Sequence, residues 1–309
     1  MLNIQEKIPL APLTSFRIGG DALYYVEIKN EQELREALAF AQDKNIDFYI
    51  LAGGSNVLFS DNGFAGLIIR PKMNEVFVDE NSIEAEAGAP LIKVINNAAS
   101  VGLAGIESLA GIPGTVGGAA RGNAGAFGSE IGEKISSIKY FDCKTLEIKS
   151  IEAKDCDFDY RSSIFKNDSS KIILSVSLQL VKGDLGDIKR NVSETIIKRT
   201  SRGLHGVRSA GSYFMNPIVT NEKLLEEFAK ENGAPSKNGK LPAGWIIDQL
   251  GIRGKQIGGA AVSEQHANYI INKQDAKAEE VIMLASYIKQ QVRDKMGVQL
   301  SEEVNYVGF

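Results

Sequence analysis

Apolar side chains recur along the chain with two different periods, one typical of helices and one typical of strands. Helical spacing marks residues 31–44, 91–101 and 184–202 and a long stretch through Val281 and Val292. Alternation of apolar and polar positions marks residues 20–28, a hairpin at 75–88 and three strands within 137–181. The interleaving of the two periods predicts an α+β protein.

These elements group into three domains and a tail. The first domain is a small α/β layer that ends near residue 70. A larger second domain follows over residues 71–183, and a third covers residues 184–297. Residues 298–309 are too apolar for a loose end, so we expect a strand that docks back onto the fold. A length of 309 residues agrees with this number of domains, because a chain of this length usually folds around more than one hydrophobic core.

Composition excludes several classes of protein. The chain carries 35 basic and 39 acidic residues, and this balance argues against a nucleic-acid binder. No window approaches the roughly 18 apolar residues of a membrane helix, and the N-terminus lacks the pattern of a signal peptide. Cys143 and Cys156 lie far from the histidines His205 and His266, so we expect buried or half-buried thiols and neither a metal site nor a disulfide.

Two glycine-rich segments are the strongest candidates for ligand binding. Gly53, Gly54, Ser55 and Asn56 follow the apolar strand Phe48–Leu51, where successive N–H groups can form a concave anion site for a pyrophosphate. Taken alone, this turn could equally be an ordinary hairpin turn. The second segment strengthens the ligand interpretation because it offers another stretch of bare backbone.

That second segment is residues 111–128, in which seven residues are glycine and four are alanine. Such a composition predicts neither a helix nor a strand interior, because glycine loses the most conformational entropy on ordering. The segment suits the close approach of backbone to a large flat or anionic ligand. A flexible linker is the alternative, although Ile112, Val116 and Phe127 favour burial over a linker.

Three segments of the chain could carry chemistry. The Arg161 guanidinium has the planar geometry that grips a carboxylate, although a surface arginine would look the same. Ser212 lies between a glycine and two aromatic residues and is either a buried hydroxyl or a general acid. Glu302 and Glu303 would face opposite sides of a strand, and a solvated pair is the plain interpretation.

An ordered set of motifs closely resembles the UDP-N-acetylenolpyruvoylglucosamine reductase family, and in particular its second type. The resemblance runs from about residue 12 to the C-terminus. The motifs that carry it are Thr14–Gly20, Ala52–Asn56, Gly111–Gly118, Asn123–Ala126, Tyr160–Lys166, Gly211–Pro217, Ala243–Trp245, Ile257–Ala260 and Glu303–Val304.

The resemblance implies a fold, a reaction and a place in the cell. The fold is an FAD-binding fold of the vanillyl-alcohol-oxidase type, with two α+β subdomains at 1–70 and 71–183, followed by an α+β substrate-binding domain. NADPH reduces the FAD, and the enolpyruvyl group of UDP-N-acetylglucosamine enolpyruvate then receives a hydride at C3 and a proton at C2. The protein would act as a cytoplasmic monomer in peptidoglycan precursor synthesis, and so serve cell shape and division, without a metal, nucleic acid or membrane partner.

Roles carried over from the family fall on specific positions. Ser212 matches the proton donor, and Arg161 and Glu303 match the residues that stabilise the charge on the substrate carboxylate. Substrate contacts fall on Tyr160, Asn216, Arg208 and His266, the last with packing as an equal alternative. Cofactor contacts fall on Gly53, Gly54, Ser55, Asn56, Ile112, Pro113, Gly114, Thr115, Gly117, Gly118, Ala119, Asn123, Ala124 and Gly125.

Three positions depart from the family pattern. Phe127 stands where a tyrosine is usual, Met215 where lysine is common, and Asn305 where arginine is common. Two alternative functions therefore stay open. One is another FAD oxidoreductase of the same fold, and the other is a nucleotide-binding module that has lost catalysis.

Overall fold

The computed structural model describes residues 2–201, 203–204 and 206–309. Arg202, predicted at the basic end of a helix, and His205 lie outside these residues. Eight α-helices form in the described residues: α1 (Glu31–Asp43), α2 (Leu91–Ser100), α3 (Val116–Arg121), α4 (Ile164–Asn167), α5 (Leu185–Thr200), α6 (Glu222–Asn232), α7 (Ala243–Asp248) and α8 (Ala278–Met296).

The same residues form eighteen strands: β1 (Gln5–Pro9), β2 (Asp21–Ile28), β3 (Phe48–Ile50), β4 (Val57–Phe59), β5 (Phe64–Pro71), β6 (Val76–Asp79), β7 (Ser82–Glu86), β8 (Leu103–Ala104), β9 (Gly125–Ala126), β10 (Ser129–Glu130), β11 (Ile135–Asp142), β12 (Glu147–Glu152), β13 (Lys171–Gln179), β14 (Val181–Lys182), β15 (Gln256–Ile257), β16 (Ala260–Val262), β17 (Ile270–Asn272) and β18 (Asn305–Val307).

The chain divides into two compact units. The first unit comprises residues 1–8, 22–54 and 65–201, and the second comprises residues 9–21, 55–64 and 202–309. Each unit is therefore assembled from separate stretches of sequence, and two short N-terminal stretches belong with the C-terminal part of the chain.

A five-stranded antiparallel sheet forms the centre of the first unit, in the order β12-β11-β13-β7-β6. The predicted hairpin at 75–88 is confirmed as β6 and β7. Strand β13 is buried on both faces. Ile173, Val176 and Leu178 enter one core, while Ile172 and Leu174 enter a second core with α1 and strands of the four-stranded sheet β1-β2-β5-β3.

Helices α2 and α5 belong to the first of these two cores. The predicted apolar face of α2 is confirmed, since Leu91, Val94, Ile95 and Ala98 are all buried. Ile188 and Val192 of α5 pack into the same core. The structure therefore groups α5 with the first unit and divides the chain after residue 201, whereas we expected a boundary at residue 184.

Both cysteines lie in the first unit as free thiols, Cys143 half-buried and Cys156 buried. Burial raises the pKa of each thiol to about 11, with nearby aspartates adding to the effect. At neutral pH both groups are therefore protonated and weakly nucleophilic.

The second unit is built around α8. Its predicted apolar face is confirmed, because Val281, Leu284, Ala285, Ile288 and Val292 are all buried. These side chains share a core with α7 and with the aromatic pair Tyr213 and Phe214. The predicted return of the tail as a strand is also confirmed, since β18 pairs in parallel with β4.

One local prediction is wrong: the glycine-rich segment does contain a helix, α3. Thr115 begins it by accepting a hydrogen bond from the Gly118 N–H at 3.2 Å. A Cβ placed on Gly117 would come within 2.7 Å of the Ala87 Cβ, so tight packing against Ala87 requires glycine within the helix. Tertiary packing thus overrides the low helix propensity of glycine.

This packing predicts that Gly117→Ala destabilises the protein, although alanine is the better helix former. The added methyl group would overlap Ala87, and overpacking of this kind costs about 1–3 kcal/mol. Urea unfolding followed by circular dichroism measures the change. Gly122→Ala is the control, because its Cβ would meet nothing closer than the Gly118 carbonyl oxygen at 3.7 Å. A Gly117→Ala protein as stable as Gly122→Ala would contradict the packing argument.

Candidate active site

The two predicted glycine turns meet in the first unit. A Cβ placed on Gly53 would lie 2.6 Å from the Cα of Gly114, so the two backbones lie close together and Gly53 has no room for a side chain. Gly54 and Gly114 both have positive φ values, 67° and 115°, which glycine adopts without strain. Residues about sixty positions apart therefore form one surface of bare backbone.

A cavity of about 300 Å³ opens beside this contact. Its walls include Ala52, Gly53, Gly114 and Thr115, together with Arg70 and other residues of the segment that ends β5. Lys72 also lines the cavity and pairs with Glu27 at 3.2 Å. Bare backbone and two cationic side chains suit a flat group that carries a diphosphate, and so the residues present fit FAD.

Sequence reasoning missed Arg70 and Lys72. The available signal was two basic residues directly after the apolar run Gly66–Ile69, because residues that end a buried strand come to the edge of a sheet.

Other positions predicted to bind the cofactor have their polar groups engaged within the protein. The Gly117 N–H donates to the Ala87 carbonyl at 3.0 Å, and the Gly118 N–H donates to the Thr115 hydroxyl. The Ala124 N–H donates to the carbonyl of Ala119, which is itself buried. These N–H groups are occupied within the protein, and the stronger candidates for ligand contact are the glycine-turn residues that line the cavity, Gly53, Gly114 and Thr115.

Asn123 also has a structural role. Its side-chain oxygen accepts from the Gly132 N–H at 3.0 Å, and its nitrogen donates to Glu130 at 2.6 Å and to the Asp159 carbonyl at 3.0 Å. The side chain is buried and joins three segments. It therefore fixes the end of the glycine-rich segment relative to the turn that carries Arg161.

Arg161 lies against that same end. Its guanidinium donates to the Gly125 carbonyl at 2.9 Å and stands over the Tyr160 ring at 5.0 Å. The Arg161 backbone has a φ of 56°, a strained value for a residue with a side chain. Lys166 stabilises this turn by donating to the Arg161 carbonyl at 2.7 Å.

In the second unit the structure brings Ser212, Glu303 and Asn56 onto adjacent segments. The Glu303 N–H donates to the Tyr213 carbonyl at 2.8 Å, next to Ser212. The Asn56 side-chain nitrogen donates to the Glu303 carbonyl at 3.2 Å, and the Asn305 side chain donates to the Asn56 carbonyl at 3.0 Å. Three stretches that are distant in sequence thus converge within this unit.

Glu302 and Glu303 differ in their surroundings. Glu302 forms an ion pair with Lys289 of α8 at 2.9 Å and is partly buried, rather than solvated as the plain interpretation had it. The paired carboxylate holds the tail against α8. Glu303 is the neighbouring residue whose N–H bonds to the segment carrying Ser212.

The predicted substrate residues of the second unit lie at different places in it. The Asn216 side-chain oxygen accepts from the Ala243 N–H at the start of α7. The Arg208 side chain is about half exposed, 3.7 Å from Asp275. The His266 ring packs so closely on α7 that a Cβ on Gly244 would lie 2.8 Å from it. The packing contact of His266 is thus present, and its contact with substrate stays a prediction, as does the meeting of Arg161 with Ser212 and Glu303.

The described part of the chain has neither a metal-binding cluster nor a membrane-spanning helix. Residues 2–201, 203–204 and 206–309 hold no group of three or more histidine, cysteine, aspartate or glutamate side chains placed to bind a metal ion. Within the same ranges, no helix combines the length and the apolar character needed to cross a membrane.

Known proteins resemble this chain along its whole length. Residues 22–144 match a family model described as an FAD binding domain, and residues 203–307 match one described as the C-terminal domain of UDP-N-acetylenolpyruvoylglucosamine reductase. The FAD-binding fold expected from the sequence is therefore confirmed.

Relatives that carry the name UDP-N-acetylenolpyruvoylglucosamine reductase cover nearly the entire chain. The protein from Solibacter usitatus is 34% identical over 308 residues, which is 99% of this chain and 97% of the relative. The protein from Carboxydothermus hydrogenoformans is 36% identical over 307 residues, or 99% and 94%. The crystal structure of the Thermus caldophilus enzyme matches with a TM-score of 0.78 and 26% identity, covering 99% of this chain and 100% of the other.

The contact between the glycine turns predicts that Gly53→Ala weakens FAD binding. The methyl group would push Gly53 and Gly114 apart and change the cavity wall, so we expect at least a tenfold weaker affinity, equal to about 1.4 kcal/mol. Titration of the apoprotein with FAD, followed by flavin fluorescence, measures the change. Gly122→Ala is again the matched control, and equal affinity in both variants would remove Gly53 from the site.

Proposed function

This chain belongs to the UDP-N-acetylenolpyruvoylglucosamine reductase family, and from that premise we propose which residues bind, orient and protonate the substrate. In the reaction, NADPH and FAD reduce the enolpyruvyl group of UDP-N-acetylglucosamine enolpyruvate to give UDP-N-acetylmuramate, a precursor of peptidoglycan. The observation that carries the proposal is the placement of Ser212 beside the Glu303 segment, within a chain similar to these reductases from end to end.

The glycine turns would hold the cofactor. Gly53, Gly54, Gly114 and Thr115 offer backbone to a diphosphate, and Arg70 adds a positive charge at the cavity wall. When bound and reduced, FAD supplies the hydride that C3 of the enolpyruvyl group receives. The protein residues have the remaining tasks, which are to orient the substrate, to stabilise charge and to deliver a proton.

Negative charge develops on C2 and the neighbouring carboxylate as the hydride arrives at C3. Preorganised donors directed at developing charge are usually the largest contribution to catalysis. We assign this task to the Arg161 guanidinium, which its bond to Gly125 and the strained turn hold in one orientation. Glu303 would assist by sharing a hydrogen bond with the substrate carboxyl group, which requires its side chain to carry the proton.

Ser212 is the proposed proton donor to C2. A hydroxyl contributes as a general acid when its position is fixed relative to the reacting carbon. The main chain next to Ser212 supports this role, because the Tyr213 N–H and C=O groups are both hydrogen-bonded. The hydroxyl can then transfer its proton to one face of C2.

Tyr160, Asn216, Arg208 and His266 are the proposed contacts to the rest of the substrate. Arg208 is the candidate for the diphosphate, because its guanidinium is about half exposed and lies a long 3.7 Å from Asp275. We also propose that the protein works in the cytoplasm as a monomer, where its product supports cell wall synthesis, cell shape and division.

Anaerobic addition of the enolpyruvyl substrate to the photoreduced protein tests the reaction, because flavin absorbance returns only if the substrate accepts the hydride.

The variant Ser212→Ala tests the proton transfer separately from the reduction of the flavin. Reduction of the flavin by NADPH should proceed at the parent rate, while reoxidation by the enolpyruvyl substrate should slow by about 10²–10⁴-fold, the usual contribution of a general acid. Stopped-flow absorbance measures both steps. Ser175→Ala, a buried serine on β13 of the first unit, is the control and should affect neither step. Parent-like reoxidation in Ser212→Ala would refute the assignment.

A further inference from the structure

Asn268 binds the segment next to Ser212 through its side chain. Its Oδ1 accepts from the Phe214 N–H at 2.9 Å, and its Nδ2 donates to the Phe214 carbonyl at 2.8 Å. Both bonds are buried, and the Asn268 residue is only 3% exposed. The planar amide thus makes with Phe214 the pair of hydrogen bonds that the backbone of a neighbouring strand would make.

The Asn268 main chain adds a third bond. Its carbonyl accepts from the Tyr213 N–H at 2.8 Å. That N–H belongs to the peptide group joining Ser212 to Tyr213, and the Ser212 Cα lies in the same plane because peptide groups are planar. Asn268 therefore fixes the orientation of the peptide plane from which the Ser212 side chain projects.

The tail holds the same segment from another direction. The Glu303 N–H donates to the Tyr213 carbonyl at 2.8 Å, and the Met215 N–H donates to the Ser301 carbonyl at 2.9 Å. Tyr213 is thus bonded to Asn268 through its N–H and to Glu303 through its carbonyl. Loss of the Asn268 amide would remove both bonds of Phe214 and leave its buried N–H and carbonyl without these partners, while the main-chain bonds of Tyr213 and Met215 remain.

We propose that Asn268 is a positioning residue that holds Ser212 in place for proton transfer. The inference rests on the proposed function, in which Ser212 protonates C2 of the substrate. Asn268 acts through the main chain of residues 212–214. A displacement of the Ser212 hydroxyl by about 1 Å is enough to reduce the rate on the order of 10²-fold.

Asn272 provides a matched control on the same stretch of chain. It is also a buried asparagine, and its side chain also bridges two backbone groups, accepting from the Ala276 N–H at 2.9 Å and donating to the Phe16 carbonyl at 3.2 Å. Removing either side chain leaves buried backbone groups unpaired, so both variants should lose stability. Only Asn268 contacts the Ser212 segment through its side chain.

Asn268→Ala should slow reoxidation of the reduced flavin by the enolpyruvyl substrate by about 10–100-fold, while reduction by NADPH stays within about twofold of the parent. The solvent deuterium isotope effect on reoxidation should rise, because proton transfer from a misplaced hydroxyl becomes slower. Asn272→Ala should show parent-like rates and a parent-like isotope effect. If Asn268→Ala does not fold, Asn268→Gln displaces the same amide by one methylene and carries the same test.

Amide hydrogen exchange supplies a readout that does not depend on turnover. The Phe214 N–H should lose protection by at least about tenfold in Asn268→Ala and keep it in Asn272→Ala. Unchanged reoxidation and isotope effect in Asn268→Ala, or equal losses in both variants, would overturn the inference alone. A reduced parent protein that the enolpyruvyl substrate does not reoxidise would overturn the proposed function and the inference together.

Discussion

Main-chain hydrogen bonds from one short stretch of the tail hold the second unit's site together. Residues 301–303 bond to Tyr213 and Met215, and residues 305–307 pair with the strand that follows the first glycine turn. Neither set of bonds depends on which side chains are present. A side chain such as that of Met215 could therefore be replaced while these main-chain bonds, which hold the segments of Ser212 and Glu303, are kept.

Buried asparagines perform the same task at three places in the structure. Asn123 joins the glycine-rich segment to the turn before Arg161, Asn268 holds the backbone beside Ser212, and Asn272 bridges two segments of the second unit. An amide carries a donor and an acceptor in one plane, so it can satisfy a backbone N–H and a carbonyl together. In this protein the asparagine amides supply hydrogen bonds to irregular segments of backbone, which have no neighbouring strand to supply them.

Local patterns predicted most of the elements, and contacts between distant residues explain what they missed. The hairpin at 75–88 and the faces of α2 and α8 follow from periodicity alone. Helix α3 escaped prediction because its Gly117 is required by packing against Ala87, about thirty residues earlier, and α5 was misgrouped because its apolar face gives no indication of which core it joins. Composition marked the segments of Gly53 and Gly114 as candidates for ligand contact but did not predict that they touch, and the hydrogen bonds of Asn268 leave no mark in the sequence.

Strand β4 cannot pair with β18 until the C-terminal end of the chain has been synthesised. The bond between Asn56 and Asn305 spans 249 residues, and ribosomes that add about 5–20 residues per second need about 12–50 s to make the intervening chain. Over that interval Val57, Leu58 and Phe59, which are buried in the finished protein, await the strand that completes their sheet. Until the C-terminus has been made, the nascent polypeptide therefore carries these three apolar residues without the strand that pairs with β4 in the finished protein.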